Sequence, residues 1–181
     1  MDEIFKPATK PDAHYFEYDP LYPVIAQAIE RKIRSQRHHL CVEHVGSTAV
    51  VGCGGKGIID LLAIYSEGEF DSTRDYLLSL GLVMQGPEFA NAWPKSRPML
   101  LGWYVHSNKN YLVYVHVVAQ SNPEIQRFRL FRERLSSSPA LLNNYIAEKK
   151  RIIGEGVQDT DAYARLKRPI IHEVLGAEHK L

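Results

Sequence analysis

The chain has 181 residues, 45% hydrophobic and 24% charged, with 22 basic against 21 acidic side chains and a formal net charge of +1. Such a chain can bury a core without disulfide or metal staples, and the composition excludes disorder, coiled coil and collagen as descriptions of the whole. A charge this close to zero supplies no global field toward nucleic acid or a membrane surface, so any phosphate recognition must be local. Cys41 and Cys53 are too few for a disulfide scaffold or a cysteine-rich zinc module. The start Met1-Asp-Glu-Ile-Phe-Lys shows no signal-peptide pattern, and the longest apolar run, Ile58 to Tyr65, is too short to span a bilayer. The expectation is a reduced, cytoplasmic domain with neither nucleic acid nor membrane as partner.

Residues 1–17 carry Pro7, Pro11 and scattered charge without period, and read as an irregular arm ahead of a single domain over 18–181. Asp19-Pro20 suits a helix start, and Leu21, Val24, Ile25, Ala28, Ile29 and Ile33 recur at helical spacing after it. His39–Val45 alternates as a strand. A small-residue loop over 46–57 follows, then Ile58–Tyr65, whose apolar run suits a strand buried on both faces. Asp71 is placed to cap a helix that closes at Gly81, and Leu82–Met84 reads as a short strand. Three prolines predict a loop over 86–98. Met99–His106 and Tyr111–Ala119 read as a hairpin around Ser107–Asn110. Ser121-Asn-Pro-Glu124 matches a capping box. Ser138-Pro139 starts a helix ending near Gly154, and Asp159-Thr160 starts one running to about Gly176. The fold class is α/β (α+β), a small mixed sheet flanked by helices with a helical C-terminal third.

Chemistry concentrates after the first long strand. Gly46-Ser47 ends that strand, and Asp60 interrupts the apolar run of the next. A strand ending in Gly-Ser lets backbone N–H groups and a hydroxyl approach a phosphate, where a side chain at 46 would block it. A carboxylate on the adjacent strand can hold a divalent metal bridging the same phosphates. Gly52-Cys-Gly54-Gly-Lys-Gly57 matches G-x-G-x-x-G but precedes a strand, the wrong context for a dinucleotide fold. Gly55-Lys56 hints at a P-loop, but Val50 and Gly57 stand where glycine and Ser/Thr are required. Lys56 can still meet a phosphate as a point charge.

Each C-terminal helix carries one cation on its apolar stripe. Arg132 lies with Ile125, Phe128 and Leu135; Lys149 with Leu142, Tyr145 and Ile152; Lys167 with Tyr163, Ile170 and Val174. Each must snorkel, pair or face a polar cleft, and together they would make a positive pocket for an anionic ligand. Arg127, Arg129 and Arg134 fall off the stripe, toward a solvated face. His44 and His116 sit singly in strands, a pattern shared by hydrogen-bonded core histidines and by acid/base residues, and the His116 strand is a candidate neighbour of Asp60.

His44-Val-Gly-Ser-Thr-Ala-Val50 followed by Lys56-Gly-Ile-Ile-Asp60 resembles the GrpB family, and the resemblance extends over about residues 16–175. Val51 and Gly57 replace prolines usual there. The family is placed in the nucleotidyltransferase superfamily, so the resemblance implies a nucleotidyltransferase-like mixed sheet. It implies Gly46 and Ser47 cradling the β- and γ-phosphates of a nucleoside triphosphate, with His44, Lys56, Arg132, Lys149 and Lys167 as further binding candidates. It also implies Asp60 as the ligand of Mg2+. The superfamily's second carboxylate position is Leu62, and His116 stands where a third is expected. Some members are fused to dephospho-CoA kinase. One reading is transfer of NMP from an NTP to an unknown small acceptor, using Asp60 with His116 or Glu43. A second is a non-catalytic module binding a nucleotide or other phosphorylated small molecule. A third is a different enzyme using a histidine as acid/base.

Overall fold

The structure, a computed structural model, describes residues 4–84 and 97–176. Its elements are β1 (Lys6–Pro7), α1 (Tyr22–Arg34), β2 (Cys41–Val45), β3 (Ile59–Tyr65), α2 (Phe70–Ser79), β4 (Val83–Met84), β5 (Met99–His106), β6 (Lys109–Ala119), α3 (Glu124–Ser137), α4 (Pro139–Gly154), α5 (Thr160–Leu166) and α6 (Arg168–Leu175). One mixed sheet runs β1-β5-β6-β3-β2, with β4 also pairing β5. β3 and β6 are parallel, and the remaining pairs are antiparallel.

Register decides which face each strand residue serves. Val42, Leu61, Ala63, Val115 and Val117 pack with Ile25, Ile29 and Ile33 of α1 and Leu77 of α2. On the other face lie Val45, Leu62, Ile64 and Val118, covered by Ile125 of α3. Asp60 is opposite both Val45 and Tyr114, and Leu62 is opposite both Glu43 and His116. Asp60, Tyr114 and His116 therefore share the face covered by the C-terminal helices. Both faces of β3 are buried by helices, the reason its sequence is almost continuously apolar.

The mixed sheet, its flanking helices and the helical C-terminal third match the expected class. Several local details differ. α1 starts at Tyr22 with Pro23 in its first turn; Asp19 instead accepts from the Leu21 N–H at 2.9 Å and from Lys109 Nζ at 2.6 Å. Asp71 lies inside α2 and pairs with Arg74 at 2.7 Å instead of capping the helix. The hairpin turn shortens to Ser107-Asn108, both at positive φ (48° and 62°), as a two-residue turn between twisted strands requires. The capping box does not form. Ser121 Oγ donates to Glu67 at 2.6 Å, Asn122 Oδ1 accepts from the Glu124 N–H at 2.9 Å, and the Glu124 carboxylate pairs with Arg97. The final helix breaks at Lys167 into α5 and α6, because Pro169 has no N–H to continue the ladder. The Ser138 and Asp159 starts hold, their side chains accepting from the N–H groups of Leu141 and Ala162.

The N-terminal arm is irregular but built in. β1 lies along β5, the ring of Phe5 is buried, and Phe16 pairs with Gly55 across an isolated bridge. The expected 86–98 loop lies almost wholly outside the described residues. Among the described residues, no helix is long and apolar enough to cross a membrane.

Candidate functional site

A cavity of about 740 Å³ opens between the sheet and the C-terminal helices. Gly46, Ser47, Lys56, Asp60, His116, Lys149 and Lys167 line it. The sequence motif thus converges on one space, although its parts come from β2–β3, β6, α4 and the α5–α6 junction.

Gly46 leaves β2 at φ 72° and ψ −167°, a conformation that suits glycine. A Cβ there would lie 2.5 Å from Asp60 Oδ2, so the turn fits closely against the carboxylate. Ser47 begins a single 3₁₀ turn, Ser47–Ala49, that carries the loop over the sheet edge. Gly55 approaches from the far side of the loop. A Cβ on it would lie 3.2 Å from Lys149 Nζ and 3.4 Å from Ser47 Oγ, so hydroxyl and ammonium face one point.

Three ammonium groups gather on two tyrosine rings. Lys149 Nζ is 4.2 Å and Lys167 Nζ 5.9 Å from the Tyr145 centroid. Lys167 Nζ is 5.0 Å and Lys56 Nζ 5.5 Å from that of Tyr163. The negative ring faces hold cations that would otherwise repel. Lys149 is buried, and its ammonium donates to the Gly54 carbonyl and, at 3.2 Å, to Cys53 Sγ. Burial, together with Lys56 and Lys149, pushes the Lys167 amine down to about 7, and burial pushes Lys56 to about 8 against the attraction of Asp60. Burial and mutual repulsion thus disfavour the charged amines, and an anion in the cavity would favour them again.

Asp60 sits at the centre. His116 Nε2 lies 3.5 Å from Asp60 Oδ1, and its Nδ1 lies 2.8 Å from Arg97 Nη1. A guanidinium only donates, so Nδ1 accepts and the ring proton is on Nε2, facing Asp60. Burial holds the His116 ring below its ordinary pKa, which keeps this neutral tautomer. Arg97 is buried, pairs with Glu124 and lies over the Phe128 ring at 5.1 Å. Tyr114, opposite Asp60 in the sheet, is 5% exposed, and its hydroxyl has no hydrogen-bond partner among the described residues. Burial and the nearby carboxylates of Asp60 and Asp161 raise its pKa, so it faces the cavity as a neutral donor.

Three expected residues lie outside the cavity lining. Glu43 pairs with Arg129, whose Nε donates to it at 3.0 Å. His44 is a half-buried, hydrogen-bonded histidine: Thr48 Oγ1 donates to the Ile58 carbonyl at 3.0 Å and so accepts from His44 Nε2 at 3.0 Å. Burial lowers the His44 pKa to about 4. Arg132 donates to the His44 carbonyl at 2.6 Å, serving an oxygen on the edge strand β2. Arg127 reverses the other way: expected on a solvated face, it lines the cavity. Sequence reading also passed over Arg97, Tyr114 and Glu124. Arg97 was hidden in a proline-rich stretch and Glu124 in an apparent capping box. A tyrosine in an apolar strand carries no signal of its own.

The carboxylates lining the cavity are Asp60, Asp161 and Glu124, and the last two are engaged by Lys10 at 2.5 Å and by Arg97. Among the described residues no three His, Cys, Asp or Glu side chains group as metal ligands. Asp60 has one oxygen against Gly46 and the other facing a ring N–H. With Asp161 and Glu124 engaged elsewhere, Asp60 by itself fits no more than a weakly held, mostly hydrated divalent cation.

The model of the family described as GrpB protein matches residues 14–177. A UPF0157 protein of Halalkalibacterium halodurans is 27% identical over 88% of this chain and 78% of its own length. A UPF0157 protein of Pseudomonas aeruginosa is 30% identical over 87% of this chain, which spans only 64% of that relative. The crystal structure of GrpB from Enterococcus faecalis superposes with a TM-score of 0.71 at 24% identity, covering 90% of this chain and 97% of that one. MgGTP-bound Cid1 poly(U) polymerase reaches a TM-score of 0.44 at 9% identity, over 73% of this chain and 44% of that one, too slight a likeness to carry a functional conclusion. With the family model covering nearly its whole length, the chain belongs to the GrpB family.

Proposed function

We propose that the cavity binds a nucleoside triphosphate or similarly phosphorylated small molecule, its phosphates against Ser47, Lys56, Lys149 and Lys167. The convergence of these three lysines beside a glycine–serine turn carries the reading. A polyphosphate is the ligand class that matches several adjacent ammonium groups and a hydroxyl at once. Tyr114 offers one further donor, and the cavity has the volume of a small-ligand site. In this reading the ammonium groups do the neutralising that magnesium does elsewhere, so binding does not depend on a resident metal.

The test is calorimetric titration of ATP, GTP, CTP and UTP, first with magnesium and then with EDTA, on the wild type, Ser47→Ala and Lys149→Met. The expected result is nucleotide binding that survives EDTA and weakens about tenfold or more in each variant, the loss of a charge-assisted hydrogen bond. Abolition by EDTA would overturn the metal-free reading, and absence of binding at millimolar nucleotide would overturn the site.

A second reading, transfer of NMP to a small acceptor, is favoured by the Arg97–His116–Asp60 array beside the lysines. The array keeps one oriented carboxylate next to the proposed phosphates, able to accept the proton of an attacking hydroxyl. It predicts pyrophosphate release that Asp60→Asn abolishes while nucleotide binding is retained.

A further inference from the structure

Among the basic residues that line the cavity beyond the lysine wall and Arg97, Arg127 is set apart by the burial of its Nε. Arg127, in the first turn of α3, is half-buried, and its Nε is fully buried without a hydrogen-bond partner among the described residues. One charge near it is a like one, the Arg97 guanidinium. Arg97 has Glu124 to offset it; Arg127 has no such carboxylate among the described residues. A guanidinium that hides a donor next to another guanidinium is costly unless an anion completes it.

The charges follow an order along the cavity. Asp60 attracts Lys56 and faces His116, His116 accepts from Arg97, and Arg97 adjoins Arg127. Arg127 enters the cavity from α3, whereas the three lysines come from the β2–β3 loop, α4 and the α5–α6 junction. Phe128 and Met99 line the same cavity, so its interior is partly apolar and favours a fixed ion pair over a hydrated one.

The geometry points to a second oxyanion subsite at Arg127, separate from the lysine wall and recognising a carboxylate or phosphate through the guanidinium fork. This deepens the proposal above and rests on it: with a polyphosphate on the lysines, the complete ligand set carries a second, separate oxyanion. In a transfer reaction that oxyanion belongs to the acceptor, and in a binding module to the far end of the same ligand. The fork is suited to this task because its N–H groups are coplanar and match two oxygens at once.

The test follows the Nε–H resonance of Arg127 by NMR while inorganic phosphate, or acetate in a parallel arm, is added to the protein. Each titration is run with and without saturating inorganic tripolyphosphate. The Arg127 signal is expected to shift saturably in both conditions, and the arm with the stronger response identifies phosphate or carboxylate as the preferred group. Arg134, which donates to the Val174 carbonyl at 3.0 Å, is the control and should stay still. Arg127→Gln should weaken the anion at least about tenfold by whole-protein titration, and Arg127→Lys, which keeps the charge and loses the fork, should weaken it too. No saturable shift overturns the subsite. A shift that tripolyphosphate abolishes also overturns it, since one shared site then explains both anions. If tripolyphosphate itself does not bind while phosphate still moves Arg127, the lysine proposal falls and the Arg127 subsite stands.

Discussion

At the scale of single residues, close packing makes Gly46 the most demanding position of the site. Alanine there would hold a φ that L residues rarely adopt and press its methyl to 2.5 Å from Asp60 Oδ2. Gly46→Ala is expected to lose about 1–3 kcal/mol in urea denaturation and to displace the carboxylate, so nucleotide titration should weaken with it. Lys167 gives a pH signature. Its amine sits near 7 in the fold against an ordinary 10.5, so the unfolded chain holds the extra proton between those values. Stability of the free protein should therefore rise with pH across that window, and Lys167→Met should flatten the rise. An oxyanion favours the charged amine, so at pH 8 binding should take up a proton, and affinity should fall as pH climbs above about 7. Calorimetry in two buffers of different ionisation enthalpy measures that proton directly. Gly46, Ser47, Lys56 and Asp60 were legible because their chemistry is local, a turn against the start of a strand. Tyr114 and Arg97 were not, since their importance comes from which residues lie opposite them across the sheet.

At the scale of elements, α3 is pinned to the sheet by the Arg97–Glu124 pair, which joins its first turn to the start of β5. Removing either partner alone leaves the other charge half-desolvated, while removing both relieves the problem. A double-mutant cycle with Arg97→Met and Glu124→Gln should therefore show a coupling of about 1–3 kcal/mol in denaturation. Additive losses would mean that the pair fixes nothing. Sequence periodicity located α3 and α4, read α5 and α6 as one helix, and placed Lys149 and Lys167 inward. It missed Arg127, and Arg132 falls outside the lining, because the cavity takes Glu124, Arg127, Phe128 and Phe131 of α3, a face offset from the Ile125–Arg132–Leu135 stripe. Lys167 reaches the ring of Tyr163, one turn earlier, and that of Tyr145 on α4.

At the scale of the whole molecule, charge and topology separate two jobs. The net charge of +1 keeps the surface balanced, while eight basic side chains against three carboxylates line the cavity. The order of the sheet was not readable from the strands alone, because the β3–β6 pairing joins segments with α2, β4 and β5 between them. The arm is the clearest case. Nothing in its composition marks Phe5 as core, yet Phe5 is 1% exposed and lies against the faces that Gly81 and Gly102 leave bare. Phe5→Ala should cost about 3–5 kcal/mol at equilibrium.

That arm also sets an order of assembly. Lys6 pairs with Trp103, so β1 has no partner until β5, far later in the chain, emerges. The β5–β6 hairpin, closed by a two-residue turn, can form at once. The arm is then expected to latch after the rate-limiting barrier, sealing a sheet that has already condensed. Stopped-flow refolding of Phe5→Ala should leave the folding rate nearly unchanged and speed unfolding by most of the lost stability, making this arm the part of the molecule that governs its lifetime instead of its birth.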